Sequence, residues 1–441
     1  MREGGSAADA AVCACFASCV CEVVMTGLLG GGHGMVWDAA EKRARQLDFF
    51  VAVPGFGGPA RKPELVDVEV RFGEQLVHYS IGPQSFAVPG VPAGLHELWR
   101  QYGRLDWPRL LEPAIALARG GVPMPHAHAT CLEMLAPVLT LDGGERLLAP
   151  QGRLLKEDEL LVQPGIATAL ELLADDPRSL YDGSLAGALL ELMVARGGLV
   201  TAADLASYSP LWREPVETHY ARTRFFTRGG LARVTESLAR LVPLAALSER
   251  ERVHALLAAL SPGGIETHTT NLVTVDGAGN ACVLTTSLGL GSGDYLPGFD
   301  LHLNSMLGET DLLVGKLEAG ERMESMTAPS VAVDSNGLAL AIGAAGGTRL
   351  RSALVAVVAG ILDEGLAPDE AIDRSRFHPD VPVIDAEPGV SEEALGEVET
   401  QGWRVRRWSA RHHYFGGVSA IGRRGAAGDP RRSGVGLLID A

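Results

Sequence analysis

The sequence predicts an α+β protein built in layers around antiparallel sheet. Two observations carry this. Helical and β-rich stretches fall into separate runs rather than strict alternation, and two pairs of β-runs in the second half are joined by tight hairpin turns. The 441 residues are 46% hydrophobic and 21% charged, which is enough for a substantial core and excludes wholesale disorder.

Residues 7–24 predict a helix, capped by Ser6 with Asp9 three positions on. Its apolar stretch, Ala10 to Cys21, is 12 residues, short of the roughly 20 that a membrane span needs. Glu3 stands where a secretory signal carries basic charge. The expectation is a buried helix in a cytoplasmic chain with no membrane partner. Cys13, Cys15, Cys19 and Cys21 lie in that helix without C-x-x-C spacing, so they read as small hydrophobes at a tight interface.

Gly27 to Gly34 forms a glycine-rich turn feeding the strand Met35–Asp38. It has no Lys-Ser/Thr and opens no helix, so close helix–strand packing is expected rather than a phosphate cradle. Pro92–Tyr102, Trp107–Arg119 and Ser184–Arg196 carry helical periodicity and end near glycine. Ser209 to Leu260 mixes one extended run with helical stretches.

In the second half, Asn271–Val275 and Ala281–Ser287 flank the turn Asp276-Gly277-Ala278-Gly279-Asn280. Val331–Val333 and Leu338–Ile342 flank Asp334-Ser335-Asn336-Gly337 in the same way. Arg351–Glu364 reads as a helix, and Phe415–Ile421 and Gly434–Leu438 as two late strands.

Acidic residues outnumber basic ones, 54 to 38, for a net charge of −16. A field of that sign repels phosphate backbones and excludes a broad nucleic-acid role. The basic, aromatic run Trp403 to Trp408 with Arg411 is expected to pair with acidic neighbours. His126 with His128, and His412 with His413, lack an acidic partner at ligand spacing, so no metal is expected.

The chemistry concentrates at Glu266-Thr267-His268-Thr269-Thr270-Asn271, where a threonine opens a strand. Alone, that threonine is an ordinary β-former. Its context is an ordered series of motifs. Gly4-Gly5-Ser6-Ala7-Ala8-Asp9-Ala10-Ala11 opens the chain. The glycine-rich turn follows, then Val88-Pro89-Gly90-Val91-Pro92-Ala93-Gly94, then Asp204 to Tyr208 with Arg213-Glu214-Pro215-Val216. Next come His268 to Asn280, Gly343 to Arg349, Arg376-Phe377-His378, and Gly428 to Gly434.

In this order the motifs resemble, nearly end to end, the gamma-glutamyltransferase (gamma-glutamyltranspeptidase) family of N-terminal-nucleophile hydrolases. The resemblance implies a four-layer αββα sandwich formed jointly by two segments of one precursor, 1–268 and 269–441, as one interleaved catalytic domain. It implies self-cleavage before a threonine that then carries both a hydroxyl nucleophile and an α-amine base. The expected assembly is a heterodimer of self-cleaved subunits, which could associate further and needs no cofactor.

Counting seven residues back from Asp276 places the nucleophile at Thr269. Thr267 is the rival register and would require an insertion before the hairpin. The resemblance implies that the Ser287 hydroxyl supports the nucleophile and that the Gly346 and Gly347 N–H groups stabilise the oxyanion. It further implies that Ser325 contacts substrate and that Glu309 binds an α-ammonium.

Four departures stand out. Phe50 replaces the arginine that clamps a glutamyl carboxylate, Gly289 a substrate-binding asparagine, Met306 a glutamine or glutamate, and Asn271 a histidine. Losing the clamp removes a charge-assisted bond of about 1.5–3 kcal/mol, roughly ten- to a hundredfold in affinity. The segment from Leu231 to His268 is shorter than the family's, and the resemblance implies a strand ahead of Met1. The expected activity is hydrolysis or transpeptidation of γ-glutamyl amides such as glutathione, with water or an amine as acceptor. An acylase for a less polar acyl amide is one alternative, and an uncleaved, non-catalytic protein is the other.

Overall fold

The computed structural model describes residues 1–56, 63–72, 75–260, 269–315 and 317–439. Two antiparallel sheets form its centre. The first is built from β1 (Gly31–Asp38), β2 (Arg43–Phe49), β3 (Leu211–Arg213), β6 (Thr270–Val275) and β7 (Ala281–Ser287), in the order β6-β7-β1-β2-β3. The second uses β4 (Val216–Tyr220), β5 (Thr223–Thr227), β8 (Ser330–Asp334), β9 (Gly337–Ala345), β10 (Gly417–Gly422) and β11 (Gly425–Gly428), in the order β11-β10-β9-β8-β5-β4.

Period-two alternation sorts each strand's side chains between two cores. Met35, Trp37, Ala281, Val283, Val331, Val333 and Ala341 point between the sheets and form one apolar layer. The residues alternating with them point outward. Val36, Cys282 and Leu284 meet α1 (Ala7–Cys21), α2 (Val91–Tyr102), α3 (Trp107–Gly120) and α5 (Pro164–Asp175); α4 (His126–Leu139) packs in a separate apolar cluster with Met25, Tyr414 and Phe415. Ala332, Leu340 and Ile342 meet α7 (Glu249–Leu260) and α8 (Arg349–Leu362) on the other side, while α6 (Ser184–Arg196) joins the first helical layer. The result is the four-layer αββα sandwich.

The Ser6–Asp9 capping box forms as expected at the start of α1. Cys15 and Cys19 are buried within that helical layer, and all six cysteines are free thiols. The basic run near residue 407 is paired locally, Arg407 with Glu392 and Glu399, and Arg411 with Asp373. One expectation fails. The last strand is Gly425–Gly428, not Gly434–Leu438. The earlier stretch follows β10 through a tight turn and completes the antiparallel pair, leaving the later apolar residues Val435, Leu437 and Leu438 exposed. No described helix is long and apolar enough to cross a membrane.

Candidate active site

Thr269 lies one residue ahead of β6, the edge strand of the first sheet, and is 1% exposed. The ladder pairs Thr270 with Thr286, and the same register carried one step further sets Thr269 opposite Ser287. Val273 and Val275 pack into the layer between the sheets, so Thr269 is in phase with residues that face inward. Thr270, out of phase, turns the other way and donates to Glu22 Oε2 at 2.7 Å.

The second sheet supplies what Thr269 faces. Gly346 N lies 3.5 Å from Thr269 Oγ1. Gly346 and Gly347 follow β9 with φ of +126° and +59°, so the chain makes a left-handed turn before α8 begins. Their carbonyls accept from Arg349 and Leu350 at 3.1 Å each, which ties the turn to the first turn of the helix. Asn271 lies where Gly343 has no side chain, and its Oδ1 accepts from Thr285 Oγ1 at 2.8 Å. Ser287 Oγ accepts from Gly289 N at 3.0 Å.

A second group lies beyond Ser287. Gly289, at φ +67°, abuts the Glu309 carboxylate and the Ser305 hydroxyl; a Cβ there would sit 2.6 Å from Ser305 Oγ. Phe50 and Met306 share one apolar cluster with Val51 and Met323. Ser325 Oγ is 3.1 Å from Thr327 Oγ1, which is 2.8 Å from His33 Nδ1; His33 Nε2 is 3.4 Å from Asp48 Oδ1. Arg228 Nη1 donates to Ser325 O at 2.5 Å.

Burial, with Arg228 nearby, pushes the His33 imidazole down to about 4, so it is neutral at physiological pH. Burial alone would raise the Asp48 carboxyl, but His33 and Arg322 outweigh it and hold the group well below the usual carboxylate range.

The structure thus brings Thr269 and Gly346 together, sets Gly289 against Glu309, and links Ser325 through Thr327 to His33, whose ring stacks on Phe50. Thr267 and His268 lie outside the described residues. Sequence reasoning missed His33 and Thr327, and it reads Asp429 to Arg432 as a turn with structural ion pairs, which Arg431 makes with Glu387 and Asp429. The available signal for His33 was a lone imidazole in a glycine run at an inward strand position. Among the described residues, no group of three or more His, Cys, Asp or Glu side chains could hold a metal ion.

Two stacked antiparallel sheets between helical layers, with a strand-opening threonine turned into the sandwich, are the architecture of the N-terminal-nucleophile hydrolases. The sequence model of the Gamma-glutamyltranspeptidase family matches residues 1–232 and 232–439, and the chain belongs to that family. It is 28% identical to the acylase ACY 1 proenzyme of Pseudomonas sp. strain V22, over 96% of this chain and 86% of that protein. It is 26% identical to the glutathione hydrolase proenzyme of Pseudomonas aeruginosa, over 100% of this chain and 91% of that one. The fold matches the crystal structure of cephalosporin acylase from Bacillus halodurans with a TM-score of 0.84 at 21% identity, covering 100% of this chain and 92% of that one.

Proposed function

We propose that the chain is a self-processing amide hydrolase whose nucleophile is Thr269 and whose acyl group is less polar than γ-glutamyl. The observation that carries the chemistry is the approach of Gly346 N to Thr269 Oγ1. In the first step Oγ1 bonds to the carbonyl carbon of residue 268, the C–N bond to Thr269 breaks, and the nitrogen keeps the hydroxyl proton. Water then hydrolyses the ester, leaving segments 1–268 and 269–441.

The freed α-amine, with an ordinary pKa of about 7.7–8.0, serves as the base on the residue that carries the nucleophile. It takes the Oγ1 proton as Oγ1 attacks a substrate amide and gives it to the leaving amine. The acyl-threonine is then released by water or an acceptor amine. Gly346 and Gly347 N–H groups stabilise the oxyanion, and the Ser287 hydroxyl supports Thr269.

The acyl preference rests on Phe50 and Met306, which make one apolar cluster where a glutamyl head group would call for charge. The acylase relatives fit this reading. A second reading, γ-glutamyl amides such as glutathione, is favoured by Glu309, whose carboxylate beside Gly289 suits an α-ammonium. Turnover of neutral acyl anilides against γ-glutamyl anilide separates them, and a γ-glutamyl preference rejects the first.

N-terminal sequencing of the purified protein tests the nucleophile directly. The expected new terminus is Thr269, with two bands of about 28 and 18 kDa from the 46.4 kDa chain. Thr269→Ala should abolish both processing and turnover. A terminus at Thr267, or an active chain that stays whole, rejects the assignment.

A further inference from the structure

Thr269 has a structural difficulty. It sits just outside the ladder, at the start of an edge strand, and under the proposed function it becomes a chain terminus. Free termini fray unless something ties them down. Yet an attacking hydroxyl must be placed to within a fraction of an ångström.

Arg432 lies at that point. Its Nη1 is 3.5 Å from the Thr269 carbonyl oxygen and 3.8 Å from Met25 Sδ, and its Nη2 donates to the His413 carbonyl at 3.2 Å. The guanidinium therefore spans three segments: the loop after α1, the turn ahead of β10, and the residue ahead of β6. Two glycines make room for it. A Cβ on Gly346 would lie 3.2 Å from Nη2, and one on Gly417 would collide with the arginine stem.

The charge is not used up elsewhere. Among the described residues Arg432 makes no ion pair, although Glu22 and Asp429 line the same cavity. Its Nε is fully buried and has no hydrogen-bond partner among the described residues. An arginine kept for structure alone would be expected to pair with one of those carboxylates. This one directs its donors at carbonyl oxygens, including that of Thr269.

We infer that Arg432 is a positioning residue for Thr269, pinning its carbonyl so that Oγ1 stays against the Gly346 turn. The inference rests on the reading of Thr269 as nucleophile. Self-cleavage of the full-length chain tests it without any assumption about substrate.

Arg432→Ala should slow cleavage of the precursor by about a hundredfold, with an unchanged melting temperature. Added guanidinium, which can enter the vacated space, should restore part of the rate. Urea, of the same shape but uncharged, should not. Wild-type cleavage kinetics in the alanine variant, or a loss that guanidinium does not recover better than urea, overturns the proposal. If the alanine variant does not fold, Arg432→Lys decides. Cleavage within about tenfold of wild type supports the role of the cation, and an unfolded or uncleaved lysine variant overturns it. Thr269→Ala is run alongside. If that chain is still cut at the same bond, the reading of Thr269 falls. If it stays whole while Arg432→Ala cleaves normally, only the role of the arginine falls.

Discussion

The ring of Phe50 lies flat against the imidazole of His33, with centroids 5.3 Å apart and planes 19° from parallel. The imidazole is neutral, and Phe50 shares its apolar cluster with Met306 and Met323. This packing makes position 50 the point at which acyl selectivity should be most easily changed. Phe50→Arg should raise the ratio of kcat/KM for γ-glutamyl anilide over a neutral acyl anilide by about ten- to a hundredfold, the worth of one charge-assisted hydrogen bond. The variant should melt lower, because a buried cation replaces a packed ring. An unchanged ratio would show that residue 50 never meets the acyl group.

Gly346 should tolerate no side chain. Its φ of +126° is open to glycine, and a Cβ there would sit 2.8 Å from the Gly416 Cα. Alanine must push the turn away from Thr269 and carry its N–H with it. Gly346→Ala is expected to lower kcat by about 10²–10³, the usual cost of an oxyanion donor. Gly337→Ala provides the control. That glycine, at φ +95°, closes the β8–β9 hairpin, and a methyl group placed on it would have no neighbour within 4 Å among the described residues. It should therefore lose stability while keeping its rate. Equal kinetic losses in both variants would remove the special role of Gly346.

Much of the sandwich was legible because its signals are local. The Ser6–Asp9 capping box and the Asp276–Asn280 and Asp334–Gly337 hairpins each depend on residues within a few positions of one another, and each formed. The late strand was misplaced because the apolar run Gly434–Leu438 looks like a strand locally, whereas the pairing is set by the short connection from β10 to Gly425–Gly428. The contacts of His33 and Arg432 were not legible for a different reason. Their partners Asp48, Thr327 and Thr269 are close only in the folded chain, 15 to 294 positions away in sequence. Spacing rules carry no information at that range.

Three buried imidazoles predict acid sensitivity. Burial lowers His33 to about 4, and His302 and His378 to about 3 each. Unfolded histidine has a pKa of about 6.5. Between those values the unfolded chain binds protons that the native one refuses, so stability must fall as pH falls from about 6.5 to about 4. The slope should approach 1.4 kcal/mol per pH unit for each imidazole. Urea unfolding of Thr269→Ala, which should remain a single chain, should show this decline, and His33→Gln should reduce its slope by about one proton. Stability that is flat from pH 7 to 4.5 would contradict the burial of these rings.

The turn that closes the β6–β7 hairpin also ties it to α1. Asp276 Oδ2 accepts from the Ala7 N–H at 3.2 Å, in the first turn of the helix, where a carboxylate is favoured. Its Oδ1 accepts from the Ala278 and Asn280 N–H groups at 3.0 and 3.1 Å, and the neighbouring Thr274 hydroxyl donates to the Ala7 carbonyl at 2.7 Å. Removing the carboxylate takes the acceptor from the part-buried Ala7 and Asn280 N–H groups, so Asp276→Ala should cost about 1–3 kcal/mol in unfolding free energy. The effect on chemistry should be small. Seven residue steps, about 23 Å at 3.3 Å each, separate Asp276 from Thr269, and the β6–β7 ladder holds its register along the whole length. Cleavage at the Thr269 bond should therefore stay within a few-fold of wild type while the melting temperature drops. A large loss of cleavage with unchanged melting would mean that the turn sets the register of the nucleophile strand, and that a slip at Asp276 is felt at the far end as a misplaced hydroxyl.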